Sequence, residues 1–158
     1  MTGIMKTMLL SLPLLLLATV LPPAALAQTC TGEKTAGSVK LELEATHVRS
    51  GGGEVAFTVY GDDPKRFMAP RGKLLRARVP AVAPVTRACF WLPPGRYATT
   101  QYHDENGDRK FNRFLLTPKE GVGVSNDVKS GLVPPLKDVL FTLPPEGRTV
   151  RMTMRYPG

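Results

Sequence analysis

The chain has few of the residues that most often carry chemistry. It holds only two histidines, so a multi-histidine metal centre cannot form within one chain. It lacks a Gly-x-Ser-x-Gly elbow, a His-Glu-x-x-His helix and a Cys-x-x-Cys pair, which removes the commonest hydrolase, metalloprotease and thiol-redox signatures. There is no internal repeat, no low-complexity tract, no convincing amphipathic helix and no block of like charge. The longest apolar stretch, Met8 to Val20, is broken by Ser11, Pro13 and Thr19. It falls short of the roughly 20 residues that cross a bilayer.

That stretch follows Lys6 and precedes Ala25-Leu26-Ala27, the three parts of a secretory signal peptide with its cut before Gln28. Residues 1–27 are therefore expected to be removed, leaving no transmembrane anchor. Thr29 before Cys30 departs from the small residue that a lipoprotein signal carries there. Residues 28–37, polar and rich in Thr and Gly, read as a tether, and residues 38–158 as one domain large enough for its own core.

Export sets the chemistry of what remains. The full chain carries a net charge of +8, and loss of Lys6 leaves the mature part strongly basic. Outside the cytoplasm, in the periplasm or beyond the cell, nucleic acid is not the expected partner. The anions on offer are lipopolysaccharide, cell-wall polymers and acidic polysaccharides, so the expected partner is an anionic envelope glycan or an envelope protein. The same arginines, scattered over a surface, also serve simply for solubility. Cys30 and Cys89, both in the mature chain, are expected to pair in an oxidising compartment.

From Val39 onward the two-residue period of half-buried strands takes over. Val39, Leu41, Leu43 and Ala45 alternate with Lys40, Glu42 and Glu44; after Ser50-Gly51-Gly52-Gly53, so do Val55, Phe57 and Val59. The spacing predicts a hairpin of these two strands. Further strands are expected around 75–79, 84–92, 96–103, 139–143 and 150–156, separated by turns such as Leu92-Pro93-Pro94-Gly95. The expected fold is all-β, an antiparallel β-sandwich of about seven strands. The segment 104–135 stands out as one long loop, and such loops are usually functional when ordered.

The candidate chemistry lies there. Asp104, Asn106 and Asp108 place oxygens at positions 1, 3 and 5 of a calcium-type loop, where alternate side chains converge on one hard cation. Arg109 stands at position 6 and Leu115 at position 12, where such loops use Gly and Glu. Asn112, Glu120 or Asp127 could supply what is missing. The competing reading is an Asx-rich turn that caps its own amides. No cofactor is otherwise expected. His103 beside Asp104, with Ser125 further on, suggests a hydrolase, but adjacent strand side chains face opposite ways, so Asp104 cannot orient His103. His103 is instead expected to pin the long loop to the sheet. Trp91 and the tyrosines could stack on sugars, although core filling is the better account of Trp91.

The runs Leu92-Pro93-Pro94-Gly95-Arg96-Tyr97-Ala98 and His103-Asp104-Glu105-Asn106-Gly107, with Pro118-Lys119-Glu120-Gly121-Val122-Gly123-Val124-Ser125-Asn126, resemble an exported bacterial family, domain-of-unknown-function family 2141. The likeness runs from about Val39 to Tyr156. It implies a prealbumin-like (transthyretin-like) β-sandwich and no established activity. Together these readings give an exported, non-catalytic binding or structural module of the bacterial envelope. Its loop site is expected at His103, Asp104, Asn106, Glu120, Ser125 and Asn126, with the 103–108 and 118–127 segments packed at one end. The alternative is a calcium-dependent module using Asp104, Asn106, Asp108 and Asn112, or a hydrolase around His103.

Overall fold

The structure, a computed structural model, describes residues 29–115, 117–129 and 133–158. The expected signal peptide lies outside the described residues. The fold is all-β: two sheets face one another across a hydrophobic core, without closing into a barrel. The first sheet has the order β10 (Arg148–Thr153), β1 (Val39–Thr46), β4 (Val85–Leu92). The second runs β3 (Leu75–Pro80), β2 (Glu54–Gly61), β5 (Gly95–Asp104), β8 (Gly121–Val124), and β9 (Phe141–Leu143) also pairs with β5.

The period-two pattern explains which side chains meet in the middle. Leu41, Leu43, Phe90 and Met152 from the first sheet pack on Val55, Phe57, Val59 and Leu143 from the second. Each is essentially without solvent contact, and each such side chain contributes about 1.5–3 kcal/mol by leaving water.

Two features of the topology differ from expectation. Strands β1 and β2 form no hairpin: β1 pairs with β10 and β4, whereas β2 pairs with β3 and β5. The 47–53 connection crosses from one sheet to the other, a span of about 10 Å that a two-residue turn cannot make. Gly53 is required at its end, with φ +68° and the Asp104 carbonyl oxygen 1.9 Å from where a Cβ would lie. The β1–β10 pair is parallel, with Leu41 opposite Arg148 and Thr46 opposite Thr153, so the last strand returns alongside the first. The other named pairs are antiparallel.

The N-terminal segment is tied to the first sheet. Cys30 and Cys89 form a disulfide, and Thr31 extends the free edge of β4, donating its N–H to the Cys89 carbonyl and accepting from Trp91 N–H. Trp91 is not a core residue: Ala88, Phe90 and Leu92 take the inward positions of β4. The indole is left half-buried on the outer face beneath the Lys34 ammonium.

The long loop has internal structure. It contains a two-stranded ribbon, β6 (Arg113–Phe114) with β7 (Thr117–Pro118), then β8 and a 3-10 turn over Ser125–Asp127, and a one-turn helix α1 (Leu136–Val139) follows it. Strand β8 is glycine-rich because its neighbours leave no room. A Cβ on Gly121 would lie 2.4 Å from the Tyr156 ring, and one on Gly123 would lie 2.6 Å from Gln101 Nε2. This loop, together with α1 and the 62–74 connection, covers the outer face of the second sheet, so β2 and β5 are buried on both sides. Tyr60, Phe67, Ala98 and Val139 form a second, smaller core there.

Candidate functional site

The residues expected to share one loop site occupy three places. His103 points into the sandwich and is completely buried. Its Nε2 is 2.7 Å from the Gly52 carbonyl oxygen, which can only accept, so Nε2 carries the proton. Its Nδ1 is 2.7 Å from the Tyr156 hydroxyl, and that oxygen accepts from Arg49 N–H. His103 thus pins the β1–β2 crossing and the C-terminal segment, not the long loop. Burial raises the Tyr156 phenol above its ordinary value.

Ser125 and Asn126 hold the helical turn. Ser125 Oγ donates to the Val139 carbonyl and accepts from Thr99 N–H. Asn126, at φ +62°, donates from Nδ2 to the carbonyls of Asp138 and Leu140. Asp127 accepts from Thr153 N–H and Oγ1, which joins the same turn to β10. The hydrogen bonds of all three run to α1, β5 and β10 rather than to the Asp104 loop.

Asp104, Asp108 and Glu120 do converge: each offers an oxygen within 4.8 Å of the other two. Asn112 stitches them, donating from Nδ2 to Asp108 and Glu120 and from its backbone N–H to Glu120. Asn106 bonds Asp108. Burial pushes the Glu120 carboxyl up, the charges of Asp104 and Asp108 add to this, and the Asn112 donors oppose it. Asp108, exposed, is held below its usual value by Asn112, Lys110 N–H and Asn106.

Asp104 is completely buried on the outer face of the second sheet. Its Oδ2 accepts from Arg109 N–H at 2.7 Å and from Arg78 Nη1 at 3.2 Å. Its Oδ1 has no hydrogen-bond partner. Arg78 also bonds the Tyr102 hydroxyl and the Arg109 carbonyl, and lies 3.9 Å from Glu54. Neither Arg78 nor Glu54 stood out from the sequence. The available signal was the alternation of Arg76 and Arg78 with Leu75, Ala77 and Val79, which reads as an ordinary solvent face.

The outer face instead forms the floor of a cleft of about 700 Å³ beneath the long loop. Tyr60, Tyr102, Val122 and Val124 line its floor, and Phe111 and Val133 line its walls. Tyr102 and Phe111 meet edge to face at 5.4 Å between centroids. Arg76, Arg113, Lys129 and Arg155 are the charged groups of the lining, and no described carboxylate joins them. Arg76 has a neutral partner, the Thr58 hydroxyl, while Arg155 lies 3.8 Å from Asp127.

No curated protein and no solved structure matches the chain. The model of a bacterial family matches residues 43–151, which take in both sheets, the acid cluster and most of the cleft. The chain belongs to the family described as uncharacterized proteins conserved in bacteria, DUF2141.

Proposed function

We propose that this protein is an exported, non-catalytic binding module of the bacterial envelope, and that its ligand is an acidic amphiphile held in the cleft. The observation that carries this reading is the lining itself: four cations, no carboxylate, and a floor of aromatic and branched apolar side chains. A plain anionic glycan would use the cations but leave the apolar floor wet. A molecule with an acid group and an apolar body uses both. The rim supports the same chemistry, because Phe114 and Leu115 at the ribbon tip are 67% and 79% exposed beside Arg113 and Lys119. The disulfide suits an oxidising compartment. No helix among the described residues is long and apolar enough to cross a membrane.

Isothermal titration of the mature protein tests the reading with three probes. These are dodecyl phosphate below its micellar concentration, dodecyl maltoside, and polygalacturonate. Saturable binding of dodecyl phosphate alone is expected, weakened about tenfold in Arg76→Gln, which corresponds to about 1.4 kcal/mol. Binding of polygalacturonate alone replaces the amphiphile by a glycan, and silence with all three probes removes the cleft as the site.

A further inference from the structure

We infer that the Asp104, Asp108 and Glu120 carboxylates form a binding site for a hard divalent cation, with Ca²⁺ the best match. This does not rest on the cleft's ligand.

Three carboxylates with oxygens within 4.8 Å of one another repel unless a cation or a proton separates them. Arg78 offsets one charge from Asp104 and leaves about two, the charge of a divalent ion. The independent sign is Asp104. It is completely buried, and the carboxylate it brings to the cluster has one oxygen, Oδ1, without any partner. A buried carboxylate oxygen left without a partner is costly even where Arg78 pairs the other oxygen, and a metal ion is one of the few groups that offsets that cost. The donors are all oxygens, which selects calcium or magnesium over zinc. Carboxylates drawn from separate positions along β5, its following loop and the start of β8 fit calcium's loose geometry better than magnesium's strict octahedron.

The two departures from a calcium loop also have structural answers. Arg109, at the position glycine usually fills, adopts the left-handed conformation itself, at φ +60°, with its side chain turned outward to Glu54. The missing carboxylate at the loop's end is replaced by Glu120, which β8 and the ribbon bring back to the cluster. Because Asn112 and Glu120 lie at the two feet of the β6–β7 ribbon, an ion there would clamp that ribbon to β5.

The test uses the mature protein stripped with chelator. Calcium titration by calorimetry, with Tb³⁺ luminescence sensitised by nearby Tyr102, is expected to show one saturable site. Its Kd should fall at about 10⁻⁴–10⁻³ M, the range of extracellular modules. Asp108→Asn, on an exposed loop, and Glu120→Gln should each weaken it at least tenfold, and circular dichroism reports whether each variant is folded. Calcium should also slow proteolytic cutting of the 105–120 segment in the wild type. Absence of binding at 10 mM calcium overturns the site, as does binding unchanged in both folded variants. Should Glu120→Gln unfold, the Asp108→Asn result alone decides.

Discussion

The two sheets of this sandwich turn very different outer faces away from their common core. The outer face of the first sheet is a lattice of matched charges: Glu44 lies between Arg87 and Arg151, and Glu42 between Lys40 and Thr149. It is open to solvent apart from the segment held by Cys30–Cys89. The outer face of the second sheet is covered, and it holds the unpaired Asp104 oxygen and a cleft whose lining has four cations and no described carboxylate, although Arg155 lies near Asp127. Charges that satisfy one another leave nothing for a ligand to do. Charges left without an acid under a cover mark where a ligand would contribute, and both proposed sites lie on the second face.

The largest expected difference lies in how each face keeps its cover. The first sheet's N-terminal segment is held by one covalent bond, which closes a loop of 59 residues, and by the two backbone hydrogen bonds of Thr31. Replacing both cysteines by serine should cost about 4 kcal/mol on the chain-entropy account, read as a lower denaturant midpoint. A midpoint that does not move would show that this segment contributes nothing. The second sheet's cover is held by packing instead. Tyr60 is on that outer face, buried, and edge-on to Phe67 at 5.3 Å. Tyr60→Ala should therefore behave as a core truncation and cost about 3 kcal/mol by urea unfolding. A cost below about 1 kcal/mol would make the cover a loose flap and undo the contrast between the faces.

Part of this asymmetry was visible in the chain. Val-Lys-Leu-Glu-Leu-Glu-Ala alternates cleanly and becomes a strand with one wet face, while Val-Ala-Phe-Thr-Val-Tyr has hardly a charge and becomes one buried on both faces. The all-β class and the disulfide followed from that pattern and the cysteine pair. The pairing of strands did not, because period two says which face is buried but not which neighbour a strand takes. Hence the β1–β2 hairpin was expected where the chain in fact crosses between sheets. Strand β8 was hidden by its glycines, whose reason is the Tyr156 ring and Gln101, both distant in sequence. The oxygen-rich loop at Asp104 was legible, as was Glu120 as a nearby carboxylate. The separation of Ser125 and Asn126 from that loop was not, since their partners are carbonyls of a one-turn helix that no periodicity announces.

The smallest effect expected comes from the matched face, and its smallness is the point. The Arg151 and Arg87 guanidiniums, in that order, hold the Glu44 carboxyl below the usual carboxylate range. The folded-state value is then lower than the unfolded one. The contribution to stability is complete above the ordinary carboxylate range and is lost as pH falls through the folded-state value. Both arginines are largely exposed, so screening reduces the benefit to about 1 kcal/mol or less. Glu44→Gln should therefore lower the urea midpoint slightly at neutral pH, and the difference should vanish in strong acid. Molar salt at neutral pH should erase most of it as well, because exposed pairs are screened within a few ångströms. A difference of several kcal/mol, or one that persists in acid and in salt, would mean that the first sheet's charges are buried as Asp104 of the second is.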